Sequence, residues 1–447
     1  MTESTILVVG GGLAGCEAAL TLARLGHRVE LREMRPVRNT PAHQTENLAE
    51  LVCSNSLKGL GLGSAHGLAK EELGIFGSAL LPLAFSARVP AGESLSVDRE
   101  AFSKAVEEAI AAEPNIHLVR EEVTSIDPDR WTVLAPGPLA SDALSAALRE
   151  LVGGARLSFF DAIAPIVSAE SLDWDHCWKA NRWGKGDGTD FVNCPLDRAT
   201  YDAFVQGLCE ADAVEPKPFE PKELFEGCLP IEEMARRGPE TLRHGPMRPV
   251  GLDDPKTGRW PRAVLQLRAE NAEATLYNLV GCQTRLKWGE QKRLFALIPA
   301  LANAEFVRLG SMHRNSFVES PSVLSSDFSL RTAPRVFLAG QITGAEGYTE
   351  ALATGWYAAR QLHSRITGGE PDPLPEATAL GSLVRFLTTP RPEDAPTFQP
   401  MNINFGLLPE PVLPEGAKKK DKGLRKQLQA DAALDAARGW AGARTGS

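Results

Sequence analysis

The stretch TILVVGGGLAGCEAALTLARLGHRVELREM, residues 5–34, decides the fold. TILVVG is a short apolar run that ends in glycine. GGLAGCEAALTLARLG follows, rich in Ala and Leu and free of proline; it predicts a helix closed by Gly26. HRVELREM alternates as a strand does. Together they make a β–α–β unit of about thirty residues. Gly10, Gly12 and Gly15 form GxGxxG at its first turn, with Gly11, Leu13 and Ala14 between them. Glycines at those positions allow a tight turn and let backbone N–H groups approach a pyrophosphate at the positive end of a helix. A dinucleotide ribose calls for an acid at the end of the second strand. Glu33 stands there, with Glu30 as second choice. A lone GxGxxG is a weak signal; in this order of elements it is a specific one.

The same grammar returns some 330 residues later, in RVFLAGQITGAEGYTEALATGWYAARQL (335–362). A late glycine-rich turn of this kind brings a second helix start to the flavin end of a cofactor. Gly340, Gln341, Gly344, Gly347 and Tyr348 are placed to supply it. FAD therefore fits the split arrangement better than NAD, with a nicotinamide left as a visiting reductant. Between the two units the pattern changes: from about 155 to 325 tryptophans, prolines and irregular segments appear. The reading is an α/β protein: a two-part Rossmann-like FAD-binding domain of the glutathione-reductase type with an inserted α+β substrate domain. The expected boundaries are 1–150, 155–325 and 326–395, then a tail over 396–447 with a helix at 424–438. Residues 41–95 read as loop-rich. Residues 96–112 read as a helix capped near Ser96 or Asp98, and 115–135 as two strands around Asp127-Pro128.

At 447 residues, 43% hydrophobic and 23% charged, the chain has the composition of a globular protein of several domains. No apolar run approaches the ~20 residues that span a bilayer. The start lacks the basic region and cleavage site of a signal peptide. The expected location is cytoplasmic. Seven cysteines, at 16, 53, 177, 194, 209, 228 and 282, include no CxxC and no zinc spacing, so no metal is expected. The same absence argues against a disulfide reductase. The net charge of −9 excludes a coat of positive charge. It still leaves local basic surfaces, a net +5 over 231–315 and the run KKKDKGLRK (418–426), for phosphate or for solvent. In NLAELVCSNSLKGL (47–60), Cys53 stands where an apolar run meets a polar one. That position suits a packing cysteine or a reactive thiol.

Longer motifs point one way. CSNSLKG (53–59), FFDAIAPIV (159–167), FEGCLPIEEMARRG (225–238), TLRHGPMRPVGL (241–252), LYNLVGCQTRLKWGEQKR (276–293), FVRLGSMHRNSF (306–317), AGQITGAEGYTEA (339–351) and FQPMNINFGLLP (398–409) accompany the opening GGGLAG. They resemble the folate- and FAD-dependent tRNA (uracil-5-)-methyltransferase family, a relative of the glucose-inhibited-division-A flavoproteins, from residue 5 to about 440. Two departures stand out. Cys282 and Arg285 replace an aromatic and a histidine, and NRWGKGDGTDFVNCPL (181–196) replaces a tyrosine-rich version.

The resemblance implies formation of ribothymidine in the T-loop of tRNA. The carbon comes from 5,10-methylenetetrahydrofolate and the electrons from NADPH or NADH through FAD. Uracil C5 is a poor nucleophile; a thiolate adding at C6 makes it reactive. A base must then remove the C5 proton, and hydride from a flavin can complete the methyl group. Carried over, Cys228 attacks C6, and Cys53 handles the C5 proton or the one-carbon unit. The other five cysteines read as packing, Cys16 on the first helix among them. His313 suits stacking on a pterin or uracil ring, or a structural hydrogen bond. Lys287, Lys292, Arg293 and Arg314 suit tRNA phosphate or the folate glutamate, or a solvated surface. Arg243, with Arg236, Arg237 and Arg248, surrounds Cys228 in sequence; such a setting lowers a thiol pKa and attracts RNA. The target base must flip out to react. The T-arm of tRNA is the expected partner, with no membrane and no obligate protein partner. Two other readings stay open. One is the wobble-uridine-modifying relative, which carries a long helical C-terminal region; this chain ends soon after its FAD domain. The other is an RNA-binding flavoprotein without catalysis.

Overall fold

The computed structural model describes residues 5–40, 42–153, 156–162, 164–185, 188–214, 229–271, 274–310, 312–392, 398–415 and 421–445. Cys228 lies outside them. The quoted β–α–β unit forms as read: strand Ile6–Val9, helix Leu13–Arg24, strand Val29–Glu33. Ile6–Val9 is buried along its whole length. That is the signature of a central parallel strand covered on both faces, and each buried aliphatic side chain stabilises by roughly 1.5–3 kcal/mol.

This strand sits inside a six-stranded sheet in the order Ser329–Leu330, Ala333–Leu338, Thr132–Leu134, Ile6–Val9, Val29–Glu33, Ile116–Arg120. All neighbours run parallel except the edge strand Ser329–Leu330. Ala333–Leu338 pairs with Thr132–Leu134, so one sheet is built from both ends of the chain. The core around it draws on residues from Ile6 to Val152 and from Phe317 to Leu434. The expected two-part Rossmann-like fold is borne out.

A second core runs from Val167 to Leu301. It backs a six-stranded antiparallel sheet ordered Trp178–Lys179, Phe191–Leu196, Ala263–Ala269, Leu276–Leu279, Ile166–Ser168, Phe306–Arg308. Helix Arg198–Glu210 contributes Tyr201, Phe204 and Leu208 to that core. The chain enters this unit along Arg156–Ala162 and leaves along Met312–Val318. These two segments pair antiparallel as a ribbon of their own.

Several local expectations change. Residues 41–95 carry helices Ala65–Phe76 and Leu81–Ser86 and a small antiparallel sheet. The glycines that suggested a loop are packing residues in part. A Cβ on Gly67, inside the first of these helices, would lie 2.3 Å from the Gly61 carbonyl oxygen. The helix Arg99–Ala112 starts at Asp98, not Ser96; the Asp98 carboxylate accepts from the Glu100 and Ala101 N–H groups, both at 3.0 Å. Such a cap is worth about 1 kcal/mol. The C-terminal helix is longer than expected, Lys422–Thr445. Cys16, Cys194 and Cys282 are buried as expected of packing cysteines, Cys177 is half-buried, and Cys209 is exposed near the end of its helix. Among the described residues no helix is long and apolar enough to cross a membrane.

Candidate active site

Two helix starts open on one cleft. Helix Leu13–Arg24 begins after Gly12 and has no side-chain cap. Helix Tyr348–Ile366 begins after Gly347 and has none either. Their backbones touch, since a Cβ on Gly355 would lie 2.3 Å from the Ala14 carbonyl oxygen. Gly12 and Gly347 both line a cleft of about 310 Å³. Uncapped N–H groups at a helix start attract an anion.

The glycines divide by task. Gly10 takes a left-handed φ of +103°, and a Cβ there would stand 2.2 Å from the Ala135 carbonyl oxygen. A Cβ on Gly15 would stand 1.8 Å from the Gly10 carbonyl oxygen. A Cβ on Gly12 meets nothing within 4 Å. Gly10 and Gly15 are thus demanded by the protein's own packing, while Gly12 faces open space. Leu13, Ala14, Gly340 and Gln341 also line the cleft. Gly340 follows strand Ala333–Leu338 in a tight turn with φ +78°, against Ala14.

Glu33 reaches the cleft and Glu30 does not. One Glu33 oxygen accepts the Gly11 N–H at 2.6 Å; the other accepts the Arg35 backbone N–H at 3.0 Å and its Nε at 2.9 Å. Burial works against the Glu33 charge, but Arg35 and these hydrogen bonds outweigh it and hold the carboxyl below its ordinary range. Arg35, 2% exposed, also donates to Glu50 at 3.2 Å. His43 lines the same wall. Burial and the Arg35 charge lower it to about 4, so it is neutral at pH 7.

Cys53 sits in the cleft wall between Val52 and Ser54. Its Sγ lies 3.3 Å from the Tyr348 hydroxyl, which also accepts the Cys53 N–H at 3.0 Å and the Ser54 N–H at 3.3 Å. The segment is pinned from behind by Asn55, which is fully buried. Asn55 donates to the Val97 and Ala269 carbonyls at 3.1 and 2.9 Å and accepts from Arg268 Nε at 2.9 Å. Arg99 Nε pairs with Glu270 at 2.5 Å. Residues 268–270 belong to the antiparallel sheet region, so Cys53 stands at the seam between the two cores.

Comparison with known proteins fits this geometry. Residues 5–370 match the family model described as glucose inhibited division protein A. A relative from Geobacter sulfurreducens, named methylenetetrahydrofolate--tRNA-(uracil-5-)-methyltransferase TrmFO, is 53% identical over 430 residues, 96% of this chain and 98% of its own. One of the same name from Symbiobacterium thermophilum is 50% identical over 449 residues, covering 100% and 99%. The chain belongs to the methylenetetrahydrofolate–tRNA-(uracil-5-)-methyltransferase family. The membership expected from the motifs is borne out. The solved structure of GidA from Aquifex aeolicus has the same fold: TM-score 0.70 at 16% identity, over 99% of this chain and 74% of that one.

Not every residue singled out from family motifs reaches the cleft. Gly11 and Gly15 serve it from behind. Lys287 lies on the surface of the second unit, 3.0 Å from Asp212. Arg243 is tied to Glu240 at 3.1 Å and to the Arg262 carbonyl at 2.9 Å. His313 and Arg314 lie on the connecting ribbon, opposite Asp161 and Phe160. Among the described residues, Gln283 alone brings the 155–325 region to the cleft; it lies in the VGCQTRLKWGEQKR motif. Arg35, His43, Asn55 and Arg99 escaped the sequence reading. Only Asn55, inside CSNSLKG, carried a signal that pointed to it.

Proposed function

We propose that this chain methylates C5 of the T-loop uridine of tRNA in the cytoplasm. The carbon comes from 5,10-methylenetetrahydrofolate and the reducing electrons from NADPH or NADH by way of FAD. The observation that carries the reading is the presence of Cys53 and both glycine turns in one cleft. The name shared by full-length relatives supports the reaction class.

The residues present fit a flavin dinucleotide. The open face at Gly12 and the uncapped start of helix Leu13–Arg24 suit a pyrophosphate. Glu33 suits the ribose, and Gly340, Gln341 and Gly347 suit the flavin end. Bound there, the flavin supplies the hydride chemistry that side chains lack. Cys228 adds to C6 of the uracil, which makes C5 nucleophilic. Cys53 takes the C5 proton at the cleft. Lys287, Arg314 and Arg243 meet RNA phosphate or the folate tail, and His313 stacks on a ring.

The test combines purified protein, unmodified tRNA, NADPH and methylenetetrahydrofolate labelled in its one-carbon unit. The expected result is labelled ribothymidine from the wild type and none from Cys228→Ala. Label at the wobble position instead would favour the wobble-uridine enzyme. No label from a folded, FAD-loaded protein would overturn the reading and leave an RNA-binding flavoprotein.

A further inference from the structure

We propose that Tyr348 is the positioning residue that keeps Cys53 as a thiolate. Its O–H donates to Cys53 Sγ while its oxygen accepts the backbone N–H groups of Cys53 and Ser54. A phenol has two acceptor lone pairs and one proton. The N–H groups of Cys53 and Ser54, at 3.0 and 3.3 Å, take both lone pairs. The sulfur, at 3.3 Å, is left to the proton. An S–H aimed at the same oxygen would need a third lone pair. The sulfur is therefore the acceptor, and a hydrogen bond to the charged form of a group favours that form.

The surroundings agree. Burial and the neighbouring sulfur push the Tyr348 phenol well above its ordinary range, so the donor keeps its proton at neutral pH. The guanidinium groups of Arg99 and Arg268 act electrostatically on both Cys53 and Tyr348. Tyr348 opens the helix that starts at Gly347, and its neighbour Thr349 donates to the Leu57 carbonyl at 3.0 Å. The second glycine turn and the Cys53 segment are thus held together at two adjacent residues. The inference rests on the proposed function for its meaning, because a base that takes the C5 proton must first be unprotonated.

The test follows alkylation of the Cys53 peptide by iodoacetamide against pH, quantified by mass spectrometry on the full FAD-loaded chain. Cys53→Ala identifies the signal. In Tyr348→Phe the alkylation midpoint should rise by about one unit, which slows the reaction roughly tenfold at pH values below both midpoints. The rate at high pH should stay as in the wild type. A role confined to backbone support would change that high-pH rate and leave the midpoint alone. A second measurement keeps the fold intact: protein made with 3-fluorotyrosine at its four tyrosines. The fluorinated phenol is a stronger donor, so the midpoint should fall. A midpoint unmoved by fluorotyrosine, or by Tyr348→Phe in a folded protein, overturns the proposal. The readout needs no methyl transfer, so it fails or succeeds separately from the ribothymidine assay.

Discussion

Gly12 and Gly15 belong to the same motif, yet alanine at each should fail in a different way. Gly12 has φ −78° and ψ −172°, a conformation open to alanine, and the added methyl meets no protein atom within 4 Å. The cofactor-free protein should lose less than about 1 kcal/mol, the cost of a poorer helix cap. The methyl would stand where a pyrophosphate approaches the helix start. Crowding of that kind costs about 1–3 kcal/mol, so FAD binding should weaken about fivefold to 150-fold. At Gly15 the methyl would lie 1.8 Å from a backbone oxygen that cannot swing away. The turn itself must shift, and the cofactor-free protein should lose about 3 kcal/mol or more. The assay is a pair of measurements on each variant: thermal unfolding without cofactor, and titration with FAD followed by flavin fluorescence. Undiminished FAD affinity in Gly12→Ala would refute the assignment of that open face to the pyrophosphate. Undiminished stability in Gly15→Ala would refute the packing argument.

Three further outcomes follow from buried polar groups. Glu33→Gln leaves Arg35 with Glu50 as its remaining carboxylate partner and should cost about 2–3 kcal/mol. Because the folded-state pKa of Glu33 is depressed, its contribution is present above the ordinary carboxylate range and lost as pH falls through the folded value. Thermal melts in increasing acid should therefore fall less steeply for Glu33→Gln than for wild type; equal slopes would count against the pairing. Glu72 accepts the N–H groups of Ala379 and Leu380 at 2.7 and 2.9 Å, at the start of helix Ala379–Thr388. Glu72→Ala should cost about 2–4 kcal/mol in urea unfolding, as two buried donors lose their partner. Asn55→Ala should cost about as much, since it strips Arg268 of its acceptor and unpins the Cys53 segment. A loss under about 0.5 kcal/mol, the scale of an ordinary surface change, would contradict that role.

The amino-acid sequence alone determined the β–α–β unit at 5–34, its acid at Glu33, the second glycine turn near 340 and the family. These are local facts. Periodicity, glycine spacing and long motifs are properties of contiguous residues. It misread residues 41–95, because a helical glycine that serves packing looks like a loop glycine until its neighbour is known. It could not separate Gly12 from Gly10 and Gly15, since that depends on Ala135 and on the turn's own carbonyl. Only the tertiary structure brought Tyr348 to Cys53, 295 residues away, and set Asn55 against Arg268 across the seam of two cores. Such contacts leave no periodic trace along the chain, because they join residues far apart in sequence that only the tertiary fold brings together.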